Sequence, residues 1–382
     1  MTKWIGITTV AALVLAGCSD SKSVVGPDAS LDFGNASAGG GGNVYTSTNA
    51  VSGNMIVMYN RASDGTLSAG ASFATGGTGT GAGLGNQEAV IFAYNARFLI
   101  TVNAGSNEIS VFRRRGNGTL ELTDKVGSGG TIPVSIAARD GLIYVLNAGG
   151  NGNVTGFTVS PAGKLAALAG STRPLSQAGG TGPAQLGFTP NGKVLVVTEK
   201  ATNKIDTYTV GSDGLLAGPT VYASSGATPF GFGFDRLGRL IVSEAQGGAA
   251  DQGTVSSYDV STSGALSVLD ASKPNFESAP CWIVITRDGR YTYTTNTASN
   301  TISGFRIRTN GTLELLDPDG ITATSDVGPI DAALSRGDQQ YLYVLNQAGT
   351  ITAYEVESDG GLTQLAGGAS GLPAGSNGLV AR

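Results

Sequence analysis

The chain contains no histidine. A Ser-His-Asp triad, a Cys-His dyad and a histidine-bearing zinc site are therefore excluded, because each needs an imidazole as base or ligand. Cysteine occurs only twice in 382 residues, and charged residues make up 13%, about half the usual ~25%. The net charge is −5, and the one basic run, Arg113-Arg114-Arg115, reads as a solvated strand end. Nucleic acid is not expected as a partner. Glycine, in contrast, is abundant at 60 residues, beside 40% hydrophobic residues. That combination suits many short strands joined by tight turns.

The first residues, MTKWIGITTVAALVLAGCSDS, place Lys3 before an apolar run over residues 4–15. The run is too short for a permanent span and fits a signal peptide. Its end, Leu15-Ala16-Gly17-Cys18, resembles the bacterial lipoprotein box, which implies loss of residues 1–17 and lipidation of Cys18. Ser19 after the cysteine, where Asp would retain the protein, points to the outer membrane in a Gram-negative cell. Attachment would rest on buried acyl CH₂ groups at ~0.8 kcal/mol each. Residues 18–43 hold the lipidated cysteine and a Gly/Ser-rich stretch without periodicity, read as a flexible tether.

Residues 44–382 are built from repeats. Seven strands each carry an aromatic, at Tyr59, Phe112, Phe157, Tyr208, Tyr258, Phe305 and Tyr354. Eight residues after each stands a leucine, from Leu67 to Leu362, with a glycine two positions before it, as in SDGTL and TNGTL. Asp-Gly and Asn-Gly favour the φ > 0 turns of β-hairpins. Six further strands, EAVIFAY, PVSIAAR, PAQLGFT, PFGFGFD, PCWIVIT and PIDAALS, open units 44 to 54 residues apart, the spacing of propeller blades. The first unit lacks its opening strand, and residues 376–382, SNGLVAR, fit that place. The spacing predicts an all-β fold, a seven-bladed propeller with four antiparallel strands per blade, closed by the C-terminal strand so that no sheet edge is left bare.

These repeats resemble the YVTN-type and lactonase-like seven-bladed propellers, a family that includes propeller-type 6-phosphogluconolactonases and carboxymuconate cyclases. The segments that carry the likeness are YVLNAGGNGNVTGFTV, GPAQLGFTPNGKVLVVTEKATNKIDTYTV, ATPFGFGFDRLGRLIVSEA and APCWIVITRDGRYTYTTN. Enzymes of the family carry a pattern like Gly-Pro-Arg-His-x-x-Phe-His-Pro, followed by Asn-Glu at the next strand end. The matching residues here are Gly182, Pro183, Ala184, Gln185, Phe188, Thr189 and Pro190, without the arginine or either histidine. Counted without gaps, Asn-Glu falls on Glu199-Lys200, and a shift of one residue would restore Glu199.

The second strands of the seven units end at Asn49, Asn103, Asn147, Glu199, Glu244, Asn296 and Asn346. Five amides and two carboxylates are expected at one rim of the ring. Amides there suit turns, since they bond nearby backbone. Glu199 and Glu244 are the candidate catalytic residues, facing the mouth of the channel. Gln185 and Lys200, with Asn103, Asn147, Asn296 and Asn346, are candidate ligand-binding residues. The alternative is structural, with Glu199 bridging Lys200 or Lys204 on the surface and Glu244 bonding local amides. Cys281 reads as a small packed hydrophobe beside Trp282. GGTGTGAGLG from Gly76 lacks the Gly-Lys-Ser/Thr of a phosphate loop and reads as a long loop, and Asp317-Pro318-Asp319-Gly320 reads as a turn. No metal or cofactor is expected.

Two functions stay open. One is a lipid-anchored, extracytoplasmic scaffold of the cell envelope that binds an envelope protein, a glycan or a small molecule. The other, implied by the resemblance, is a lactone hydrolase or cyclase in which Glu199 or Glu244 activates water and Lys200 or Gln185 stabilises the oxyanion. Basic charge at the channel mouth separates the two, because an anionic lactone needs it. The first strands are expected to supply almost none.

Overall fold

The computed structural model describes residues 41–382; the leader, Cys18 and the tether as far as residue 40 lie outside the described residues. Seven antiparallel sheets form the ring. Blade 2 is representative, with Val90–Ala93 innermost, then Phe98–Asn103, Glu108–Arg114 and Leu120–Gly127 outermost. Blade 4 runs Pro183–Phe188, Val194–Glu199, Lys204–Val210, Leu216–Ala223, and blade 5 runs Pro229–Phe234, Leu240–Glu244, Thr254–Val260, Leu266–Pro274. In blades 3 and 6 the outer strand is split in two, Leu165–Ala167 with Arg173–Pro174 and Leu313–Leu315 with Ala323–Thr324. The only helical element among the described residues is a 3₁₀ turn at Gln246–Gly248, so none is long and apolar enough to cross a membrane.

Blade 1 takes its innermost strand from the C-terminus. Asn377–Ala381 pairs antiparallel with Gly42–Ser47, placing Val44 opposite Ala381 and Thr46 opposite Leu379. Asn43 and Arg382 exchange two backbone hydrogen bonds of 2.9 Å at the end of this ladder. Chain ends separated by more than 330 residues in sequence therefore share one sheet, and the last strand edge is covered.

Each second strand alternates so that both its faces are buried between neighbouring blades, and Phe98–Asn103 and Tyr341–Asn346 are buried throughout. The turn glycines found in the sequence have a second use beyond their positive φ. Tyr45, Tyr144, Tyr293 and Tyr343 each donate a hydroxyl to the carbonyl of a turn glycine in the next blade, at Gly118, Gly214, Gly360 and Gly65. Adjacent blades are thus tied by a repeated buried hydrogen bond in addition to apolar packing. At Gly65 (φ 84°) a Cβ would also run into the Tyr341 ring of blade 7, so the residue is fixed by contact as well as by conformation.

The innermost strands carry bulges near their starts, between Pro183 and Gln185, Pro229 and Phe232, Pro280 and Trp282, and Pro329 and Asp331. Bulges leave backbone groups without ladder partners, and two glutamines supply them. Gln185 accepts from Phe232 N (2.6 Å) and donates to Phe232 O (3.1 Å), and Gln87 does the same for Ile283 (3.1 and 2.7 Å). Gln87 also bonds to Ala184 O through its own N–H, so it spans the channel from blade 4 to blade 6. Gly231 leaves room for it, since a Cβ there would strike Gln87 Oε1.

Candidate active site

The strand-end residues share one place in the fold, but their side chains do not line the channel. Asn103, Asn147, Glu199, Glu244, Asn296 and Asn346 are all buried at 0 to 1% exposure. Each bonds to the third strand of its blade or to the loop arriving from the previous one. Asn103 donates to Ser110 Oγ (2.8 Å), Asn147 to Ser128 O (3.2 Å) and Asn296 to Ser303 Oγ (2.9 Å), while Asn346 accepts from Ser325 (2.8 Å). The two glutamates receive donors on both carboxylate oxygens. Glu199 accepts from Ser176 N (2.9 Å) and Ser176 Oγ (2.5 Å), and from Thr202. Glu244 accepts from Gly226 N (2.7 Å), Thr254 Oγ1 and Ser256 Oγ (2.6 Å each), and Ser224 and Ser272 hydroxyls (3.2 Å each). Gly226 permits the approach, because a Cβ there would overlap the carboxylate.

The expectation that Glu199 and Glu244 face the channel mouth is thus corrected, for a carboxylate fully wrapped by donors has no face left for a substrate. Neither makes an ion pair among the described residues, so the surface-bridge alternative for Glu199 is not realised either. Glu199 instead touches a second carboxyl, Asp206, which is 0% exposed and whose two oxygens find no donor among the described residues. Burial first, and then Glu199, pushes the Asp206 carboxyl up to about 8. Lys200 is apart from this pair. Its ammonium bonds to Gly85 O and stands 4.6 Å over the Phe230 ring, and burial pulls it down to about 8.

Beyond Gln87 the channel opens into two adjoining chambers of about 260 and 380 Å³, which share Glu88, Ile91, Phe92, Phe232 and Phe234 as walls. Three polar side chains gather at the closed end. Glu88 is half-buried, lines both chambers and bonds to Gln185. Its φ of 65° is left-handed, as it is at Ile132, Thr228 and Ala279, each just before the innermost strand of its blade, so a backbone turn of this kind belongs to the repeat. Asp331 is 2% exposed and lines the larger chamber; its Oδ1 accepts from Ala332 N (2.8 Å), while Oδ2 has no partner among the described residues. Burial pushes Glu88 up to about 8, a rise Gln185 partly offsets. Burial also holds Asp331 well above the carboxylate range, and Glu88 adds to that. Two carboxyls in one low-dielectric cavity resist double ionisation. Such a pair can hold one proton and lend it, acting as base and acid in turn.

The other end of the cavity is basic, which corrects the expectation of almost no positive charge there. Arg139 and Arg336 line the two chambers, and Arg236 and Arg287 line a neighbouring depression of about 470 Å³ that also holds Asp288 and Asp338. Arg139 ends its innermost strand and the other three sit in the turn after theirs, so the ring brings together residues about 50 to 100 positions apart. Arg336 is drawn below its ordinary value by burial and by the positive fields of Arg382 and Arg287. Among the described residues Arg236, Arg287 and Arg336 make no ion pair, Asp288 being held by Arg290 at 2.6 Å. Sequence reasoning passed over Glu88, Asp331 and these arginines. Three turns, FDRLG, ITRD and LSRGD, did carry the signal as an arginine seven residues after the proline that opens each strand.

The fold and this cavity place the chain among seven-bladed propellers with a polar, solvent-reached channel. Residues 151–272, which run from the third strand of blade 3 through blade 4 and most of blade 5, match the family described as "Lactonase, 7-bladed beta-propeller". The chain resembles the lactonase-like propellers in fold along its described length and in sequence over that segment. Its structure is similar to the periplasmic gluconolactonase PpgL of Pseudomonas aeruginosa, at TM-score 0.68 and 16% identity over 88% of this chain and 98% of that one. It is similar also to a protein from Lactobacillus plantarum, at TM-score 0.71 and 20% identity over 88% and 98% of the chains. A Bacteroides uniformis protein provisionally named a 6-phosphogluconolactonase gives TM-score 0.70 and 18% identity over 87% and 98%. At these identities the likeness establishes the fold. No curated protein matches the sequence.

Proposed function

We propose that the protein is a lactone hydrolase whose reaction takes place in the channel cavity, with Glu88 and Asp331 as its acid–base pair. The observation that carries this is the meeting of a half-buried and a buried carboxyl, Glu88 and Asp331, in one solvent-reached cavity of a lactonase-type propeller. In its ionised form Glu88, the more open of the two, takes a proton from water as the oxygen attacks the lactone carbonyl. Asp331, held protonated by its deeper burial, gives its proton to the ring oxygen as the C–O bond breaks. Proton transfer of this kind contributes roughly 10²- to 10⁴-fold in rate. Gln185 fixes Glu88 and the Phe232 backbone together, so it positions the base. The arginine mouth draws anionic lactones towards the cavity.

The base must be ionised, so kcat/KM should rise with pH up to about 8 and then level, falling again where Asp331 loses its proton. A profile flat from pH 6 to 9 in the wild type would contradict an acid–base role for Glu88. The sequence from Lys3 to Cys18 supports a place in the cell envelope, with the chain anchored by lipid on Cys18, at the outer membrane in a Gram-negative cell. Metabolic labelling with an alkyne fatty acid should mark the wild type and leave Cys18→Ser unmarked; equal labelling of the two would refute the anchor.

A further inference from the structure

The carboxyl pair and the arginines stand at opposite ends of the cavity. In the innermost strand of blade 7, Pro329–Leu334, three residues separate Asp331 from the strand end, about 10 Å at ~3.3 Å per residue, and Arg336 lies two residues further on in the turn, so the span is at least that of an extended chain of roughly eight carbons. Between them the walls are apolar, formed by Ile91, Phe92, Phe232, Phe234, Ile285 and Leu334. A compact molecule with its anionic group beside its carbonyl cannot reach both ends at once. Arg287 and Arg336 face the mouth without a carboxylate partner among the described residues, with Arg382 near enough to repel Arg336. Guanidinium groups so placed suit a carboxylate or phosphate, which they bind with paired N–H donors.

We propose that the channel takes an elongated amphiphile, with its ester or lactone end at Glu88 and Asp331, an apolar chain along the aromatic walls, and an oxyanion held by Arg287 and Arg336 at the mouth. This deepens the lactone-hydrolase reading and rests on the same cavity, yet binding tests it apart from turnover. The probes are ω-hydroxyalkanoates of 4 to 14 carbons, product-like molecules with a hydroxyl at one end and a carboxylate at the other. Titration calorimetry with the full chain should show affinity rising with length by a factor of about 4 for each methylene buried, and levelling once the chain spans the cavity, beyond roughly eight carbons. Arg287→Ala/Arg336→Ala should weaken 12-hydroxydodecanoate at least tenfold and leave dodecanol unchanged. Dodecyl phosphate in place of the carboxylate distinguishes the two oxyanions.

Affinity independent of length, or untouched by the arginine double variant, would overturn the proposal even if short lactones were hydrolysed. Length-dependent binding without hydrolysis of any lactone would uphold it and refute the hydrolase reading.

Discussion

Replacing Glu244 by glutamine keeps the shape of the side chain and removes its charge. The carboxylate accepts from one backbone N–H and four hydroxyls. Glutamine can keep an oxygen towards Gly226 N, which cannot reverse its polarity, only by turning its NH₂ towards Thr254 and Ser272. Those hydroxyls can rotate to accept, but their own O–H groups then lose the acceptor they had, and Thr254 already accepts from Gln246 Nε2 (2.8 Å). The loss is the charge assistance of the set, about 1 kcal/mol for each of three close bonds, less what is regained by no longer burying a charge. A net cost of roughly 2 kcal/mol follows, or about 3 °C in Tm by the per-residue entropy scaling for a domain of this size. Glu244→Ala should cost more, because it leaves the Gly226 donor without a partner. Scanning calorimetry measures both, and lactone hydrolysis at a temperature where the variant is folded should match wild type. An unchanged Tm with hydrolysis abolished would refute the structural role assigned to Glu244 and return it to the active site.

The buried pair of Glu199 and Asp206 makes stability depend on pH. The Asp206 carboxyl lies at about 8 in the folded chain, against ~3.9 unfolded. Between those values the folded state holds a proton that the unfolded state has lost. Stability contributed by this pair is full below about 4, falls as pH rises towards 8, and Asp206→Asn should flatten that slope in urea titrations at pH 5, 6.5 and 8. An identical slope in the variant would rule out a raised Asp206 carboxyl in the folded chain. Ring closure by the last strand predicts that deleting residues 377–382 exposes the edge at Gly42–Ser47 and broadens or divides the unfolding transition; a melt superimposable on wild type would contradict it.

The ring was legible in the sequence because its signals are local. A glycine two residues before a leucine, eight after an aromatic, fixes each outer hairpin within a dozen residues, and SNGLVAR could be assigned as the closing strand by elimination. The strand-end position was equally plain, but not the direction of its side chains. Asn103 and Glu244 turn to the arriving loop, and that depends on the donors at Ser110 or Gly226, which strand periodicity does not reveal. Glu88 was hidden by its place at the head of EAVIFAY, where it reads as the end of the Gly-rich loop; only the crossing made by Gln87 puts it in the channel. Asp331 is one acidic residue in the apolar strand PIDAALS, unremarkable until the ring faces it towards Glu88. The arginines are neighbours only once the blades close, and taken one at a time each reads as a turn residue.

The channel pair and the strand-end pair can be compared directly. Base uptake at constant pH would be followed with the full chain over aldono-, homoserine and muconolactones and lactones bearing ω-carboxyalkyl chains, for wild type, Glu88→Gln/Asp331→Asn and Glu199→Gln/Glu244→Gln. Hydrolysis by wild type that falls at least about 100-fold in the channel variant and persists in the folded strand-end variant is the predicted result. Hydrolysis lost only with Glu199 and Glu244, or absent from wild type on every lactone, would contradict it.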